Sequence, residues 1–193
     1  MPSPYNFKIQ SSLPVSSYFL GINKESFLEA AEYIKLLPYG RNADKSNLLS
    51  LFTDNRGTCG TKHALLKTLA TENNYDELKL IVGLYKMNSL NTPEVSETLA
   101  LYKLDYIPEA HCYLKYNDTI LDFTKEYPLD FVKDLLEEIK ITPLQITDFK
   151  VNYHKNYLTT WLNSPNKTNL SLNDIWQIRE QCIQDIASKQ RLK

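Results

Sequence analysis

Residues 78–87, LKLIVGLYKM, constrain this chain more than any other stretch. The run is apolar almost throughout, rich in Leu, Ile and Val, and too short for a typical helix. Such a segment reads as a strand buried on both faces, hence a central strand. A central strand needs partners on either side and a layer above it. The preceding segment, CGTKHALLKTLATE, offers that layer. Ala64, Leu65, Leu66, Leu69 and Ala70 recur at helical spacing, so a helix is expected from about Cys59 to Glu72, capped by Thr58 and ended at Asn73-Asn74. Downstream, EAHCYLKY and TILDFT are strands joined by Asn117-Asp118, a two-residue hairpin signal.

Other helices are expected at residues 27–37, stopped by Pro38, and at Leu48–Phe52. TPEVSETLALYKL reads as a helix with Pro93 in its first turn. PLDFVKDLLEEIKI and SLNDIWQIREQCIQDIASKQRL also read as amphipathic helices, while KVNYHKNYLTTWLNS between them is ambiguous. The expected class is α+β: a helix bearing Cys59 packed on a small, mainly antiparallel sheet, with extra C-terminal helices. With 193 residues and no repeat or low-complexity linker, one domain over 1–193 is expected. Residues 1–20 are expected to be an extended lead-in, and residues 125–193 a helical C-terminal part.

Lys and Arg number 22 and Asp and Glu 23, so the chain has no net pull toward nucleic acid or an anionic membrane. No apolar run reaches the length of a membrane span, and the N-terminus does not read as a signal peptide. Cys59, Cys112 and Cys182 are odd in number and irregularly spaced. That argues against a disulfide framework and for a reducing, cytoplasmic location. Paired CxxC spacing is lacking as well, so neither a metal nor another cofactor is expected.

Cys59 is the first chemistry-bearing residue. A thiolate is the nucleophilic form, and the first turn of a helix favours it through free N–H groups and the positive end of the dipole. The flanking Gly57 and Gly60 would permit close approach of a substrate backbone. Taken alone, Cys59 reads as a small buried side chain. His63, one turn further along, reads as a packed or half-exposed helix histidine, and His154 as a surface residue. His111 is different. With a two-residue loop, Tyr116 faces Thr119, Lys115 faces Ile120 and Leu114 faces Leu121. This register puts His111 and Asp122 on one face as diagonal neighbours, whereas a three-residue loop would separate them. A helix-start cysteine, a strand histidine and a hairpin aspartate are the set that acyl transfer through a thioester requires.

GTCGTKHALLKTLA, the strand LKLIVGLYKM and the hairpin EAHCYLKYNDTILDFT together resemble the transglutaminase-like branch of the papain-like cysteine enzymes, over roughly Tyr39 to Thr124. The resemblance implies a papain/transglutaminase-like core. It makes Cys59 the nucleophile, His111 the proton carrier and Asp122 its orienter. It also implies a peptide, protein or other amide as substrate, with hydrolysis favoured over crosslinking. Where the family commonly has Trp after the histidine, this chain has Cys112 and then Tyr113. No Trp or Gln stands shortly before the cysteine to complete an oxyanion hole; Asn55 and Tyr39 are the nearest polar candidates. The alternatives are a non-catalytic peptide-binding or scaffold protein of the same fold and, third, an arylamine-type N-acyltransferase.

Overall fold

The central strand and the helix before it are present as expected. In the computed structural model, which describes residues 3–126, 130–164 and 168–189, the helix spans Cys59–Glu72 and the strand Leu78–Met87. In chain order the elements are α1 (Pro14–Gly21), α2 (Phe27–Leu36), α3 (Ser50–Thr53), α4 (Cys59–Glu72), β1 (Leu78–Met87), α5 (Ser96–Leu101), β2 (Ile107–Tyr116), β3 (Thr119–Leu121), β4 (Leu135–Ile141), α6 (Asp148–Leu162) and α7 (Leu172–Lys189). Short 3-10 turns cover Pro93–Val95, Val132–Asp134 and Pro143–Ile146. The strands form one antiparallel sheet in the order β3-β2-β1-β4, so β1 is indeed internal and the class is α+β.

The hairpin has the register its loop length dictates: Leu114 opposite Leu121, Lys115 opposite Ile120, Tyr116 opposite Thr119. Asn117 takes the left-handed backbone conformation (φ 49°) that a tight hairpin loop needs and that Asn tolerates. β3 stops at Leu121, shorter than the sequence pattern TILDFT. The cause is local: the Asp122 carboxylate accepts the N–H and hydroxyl of Thr124 (2.9 and 2.5 Å), turning the chain out of the ladder.

Two segments differ from the sequence reading. Residues 14–21, expected as part of an extended lead-in, form α1. Pro14 sets its first turn and Val15 and Phe19 bury one face. Its N-terminal cap comes from far along the chain: the Glu72 carboxylate, at the end of α4, accepts the N–H groups of Val15 and Ser16 and the Ser16 hydroxyl. No local motif announces that cap. The second difference is β4, which lies where a helix was expected. Leu135, Leu136, Ile139 and Ile141 satisfy a period of 3.6 and a period of 2 about equally, and the bare edge of β1 decides for the strand. Of the expected lead-in and helical C-terminal part, residues 1–2, 127–129, 165–167 and 190–193 lie outside the described residues.

The chain packs as two compact units. One comprises Met1–Val82, Cys112–Pro128 and Ile139–Thr147; the other comprises Gly83–His111, Leu129–Glu138 and Asp148–Lys193. Neither is a continuous stretch, so no shift in composition marks the division. The first unit buries Phe19, Phe27, Ile34, Leu65, Leu69 and Leu114 around α4, against which α1 and α2 pack. The second buries Tyr85, Phe131, Leu158, Ile175 and Cys182, with α6 and α5 packed on α7. Among the described residues no helix is long and apolar enough to cross a membrane.

Candidate active site

Cys59 is the first residue of α4, and the turn that carries it is fixed from both sides. Thr58 is extended (φ −83°, ψ 171°) and trades hydrogen bonds with Thr61. The Thr61 N–H donates to the Thr58 hydroxyl and the Thr58 N–H to the Thr61 hydroxyl. This is the reciprocal box usually closed by Glu or Gln, here closed by Thr. The residues before it are held by a short parallel pairing with the loop after α2. Gly57 N–H donates to the Pro38 carbonyl (3.1 Å) and Gly40 N–H to the Gly57 carbonyl (3.2 Å). Tyr39, proposed from sequence as an oxyanion donor, therefore has its backbone beside Gly57, two residues from the thiol. Asn55, the other candidate, lies in the loop after α3, exposed and left-handed at φ 48°.

The two flanking glycines are not equivalent. A Cβ on Gly60 would sit 3.7 Å from Ile146 and Thr58 and 3.8 Å from the Cys112 Sγ, all ordinary contacts. A Cβ on Gly57 would sit 2.7 Å from the Leu51 Cδ1 and 3.0 Å from the Lys62 Cγ, both fully buried. Gly57 is thus required by packing inside the protein, whatever approaches from outside.

The sequence reading missed the next residue of consequence. Lys62 is 0 % exposed. Its ammonium donates to three main-chain carbonyls: Lys35 (3.3 Å) and Leu37 (2.6 Å) at the end of α2, and Thr124 (2.6 Å) after β3. All three ammonium protons are accounted for. The last carbonyls of a helix carry its negative end, so α2 presents a cation site and Lys62 fills it. Burial lowers the Lys62 pKa to about 8; Asp122 and, when ionised, Cys59 oppose that fall. One signal in the sequence pointed here: Lys62 stands on the same helical stripe as Leu65, Leu66 and Leu69, where a charge is out of place.

His63 is fully buried on the same turn, the packed of the two settings open to it from sequence. Its Nδ1 lies 2.9 Å from the Cys59 carbonyl, and its Nε2 accepts the N–H of Phe123 at 2.8 Å. A main-chain N–H can only donate and a carbonyl can only accept. The ring is therefore neutral, protonated on Nδ1, with both nitrogens engaged by the backbone. The Asp122 Oδ1 lies 3.6 Å from Nε2, and its side chain is almost wholly buried. Lys62 and His63 together tie the Asp122–Thr124 strip to the first turn of α4.

His111 belongs to the other unit. It lies on β2, nearly buried, with its ring edge-on to Phe131 (centroids 4.9 Å apart) and Tyr85 (6.1 Å). Nearby in the same unit is a buried ionic cluster. Glu109 receives two hydrogen bonds from Arg179, 2.7 and 2.5 Å. His154, read from sequence as a surface residue, is 2 % exposed and donates from Nε2 to the Pro108 carbonyl. Burial lowers the His154 pKa, against the pull of Glu109. Burial, the largest influence on Glu109, raises its pKa, but the Arg179 charge and hydrogen bonds, His154 and Lys150 together outweigh it and the net shift is downward. Among the described residues no three His, Cys, Asp or Glu side chains are grouped to hold a metal ion.

Comparisons with protein-family models, with curated proteins and with solved structures give no match.

Proposed function

We propose that the chain is a cysteine-dependent enzyme acting on amide bonds through a thioester on Cys59, built on a papain/transglutaminase-like core. The observation that supports it most is the setting of Cys59: first residue of a doubly capped helix of 14 residues, with a buried cation three residues on. Both the helix start and the cation favour a thiolate. In this reading the Cys59 sulfur attacks the amide carbonyl. First-turn N–H groups, that of Cys59 among them, stabilise the oxyanion. His111, the proton carrier that the sequence resemblance implies, gives the proton it took from the Cys59 thiol to the departing amine as the C–N bond breaks, leaving the acyl group on sulfur. Water then attacks, His111 takes one of its protons, and the thioester breaks to a carboxylic acid and the Cys59 thiolate, which restores the starting pair. Asp122 is the orienter of the imidazole by the same resemblance. An amine in place of water makes the same intermediate a crosslinking or N-acylation step. A reducing, cytoplasmic location belongs to this reading, and three buried cysteines outside any disulfide support it.

One observation favours the second reading, a non-catalytic peptide-binding protein: Cys59 is only 5 % exposed. The test is covalent trapping. The protein is incubated with a panel of activated acyl esters and peptidyl amides and its intact mass is followed. A thioester adduct that maps to Cys59 and vanishes in Cys59→Ser supports the enzyme. A chain that binds peptides without any Cys59 adduct supports the second reading.

A further inference from the structure

Lys62 has no part in the sequence-derived triad, yet it is among the most completely enclosed side chains of the first unit. Three features of its setting argue against a merely tolerated charge. Its three donors meet three carbonyls from two separate segments, the end of α2 and the strip after β3. One of those carbonyls belongs to Thr124, whose N–H and hydroxyl bind the Asp122 carboxylate. The ammonium, Thr124 and Asp122 are thus one linked chain of contacts. The negative groups that act on Lys62 are Asp122, from the strip after β3, and Cys59, on α4 itself; α2 contributes carbonyls. His63, the next titratable group on α4, is neutral by its hydrogen bonds.

We propose that Lys62 is the fixed cation of the Cys59 site, a positioning residue that holds the Asp122–Thr124 strip against the start of α4 and sets positive charge beside the thiol. The proposal rests on the reading of Cys59 as nucleophile. A charge that favours an anion is favoured by it in return, so the coupling is measurable from either side. A methionine here would fill the space and supply neither donor nor charge. The Asp122 carboxylate would then keep its Thr124 hydrogen bonds and lose the nearby positive charge in a nearly dry setting.

Two measurements test it. In the first, the Lys62 Nζ is titrated by nitrogen-detected NMR in the wild-type chain and in Asp122→Asn. The expected midpoint is about 8 in the wild type, falling by roughly one unit in the variant. An unmoved midpoint overturns the proposal. In the second, the rate of Cys59 alkylation is followed against pH in wild type and Lys62→Met, with circular dichroism as the check on folding. A midpoint higher by roughly one unit, about tenfold less thiolate on the acid side, is expected. A folded variant with an unchanged midpoint overturns it, since a residue that only packs alters stability and not the thiol's titration. If Lys62→Met does not fold, the first measurement decides. The wild-type alkylation profile by itself tests the reading of Cys59, so failure of that reading and failure of the Lys62 assignment give different results.

Discussion

Alanine at the two glycines around Cys59 should act in opposite directions, and the structure supplies both magnitudes. Gly60 is the second residue of α4, and neither glycine has a positive φ. At Gly60 the added methyl meets neighbours at 3.7 to 3.8 Å, so it fits without displacement. Alanine then contributes its helix preference over glycine, up to about 1 kcal/mol. For a chain of this size that is a rise of roughly 2–4 °C in Tm. At Gly57 the methyl overlaps the Leu51 Cδ1 at 2.7 Å and presses the Lys62 Cγ at 3.0 Å. Both neighbours are completely buried, and the Lys62 head is anchored at its far end, so neither can swing away. Overpacking of this kind costs about 1–3 kcal/mol, a fall of several degrees in Tm. Thermal melts and urea titrations of Gly57→Ala and Gly60→Ala measure both. A neutral Gly57→Ala, or a Gly60→Ala as unstable as its neighbour, would refute the packing described around the start of α4.

Other consequences are as direct. Glu72→Ala removes the carboxylate that caps α1, and should cost about 1–2 kcal/mol; hydrogen exchange should show Val15 and Ser16 amides exchanging faster while β1 keeps its protection. His154 has a pKa depressed by burial. Between its folded and unfolded pKa values the unfolded chain binds more protons. Its contribution to stability is therefore complete above the unfolded value near 6.5 and is lost as pH falls through the folded one. Urea midpoints taken from pH 7.5 down to 5 should fall, and His154→Gln should flatten that dependence. Cys182, whose pKa burial raises to about 12, and the fully buried Cys112 should resist alkylation at neutral pH in the folded chain, as peptide mapping will show.

Where the sequence was legible, one local pattern sufficed. α4 and β1 fall on the residues expected because their apolar runs admit only one period. The hairpin register follows from a two-residue loop with Asn at the strained position. Where it was not legible, the deciding partner came from elsewhere. α1 takes its cap from Glu72, and β4 takes its hydrogen bonds from β1. His154, set among the polar residues of α6, is drawn inward by the Pro108 carbonyl. The site divides in the same way. Cys59 could be placed at a helix start from its neighbours alone, and Asp122 could be brought near the hairpin. That Asp122 ends the strand by capturing Thr124, and that Lys62 and His63 bind that strip to α4, are long-range facts. Only the lysine left a trace in the sequence, a charge on an otherwise apolar stripe.

The central proposal is that Cys59 is a nucleophile whose thiolate is stabilised by its helix start, with His111 as the proton carrier that the sequence resemblance implies. The most direct measurement is its rate of alkylation by iodoacetamide as a function of pH, in wild type and in His111→Ala, with Cys59→Ser as the blank. The account predicts a midpoint below about 7 in the wild type and a slower thiol, with a higher midpoint, once His111 is gone. A slow thiol with an ordinary midpoint near about 8.5, indifferent to His111, would contradict it.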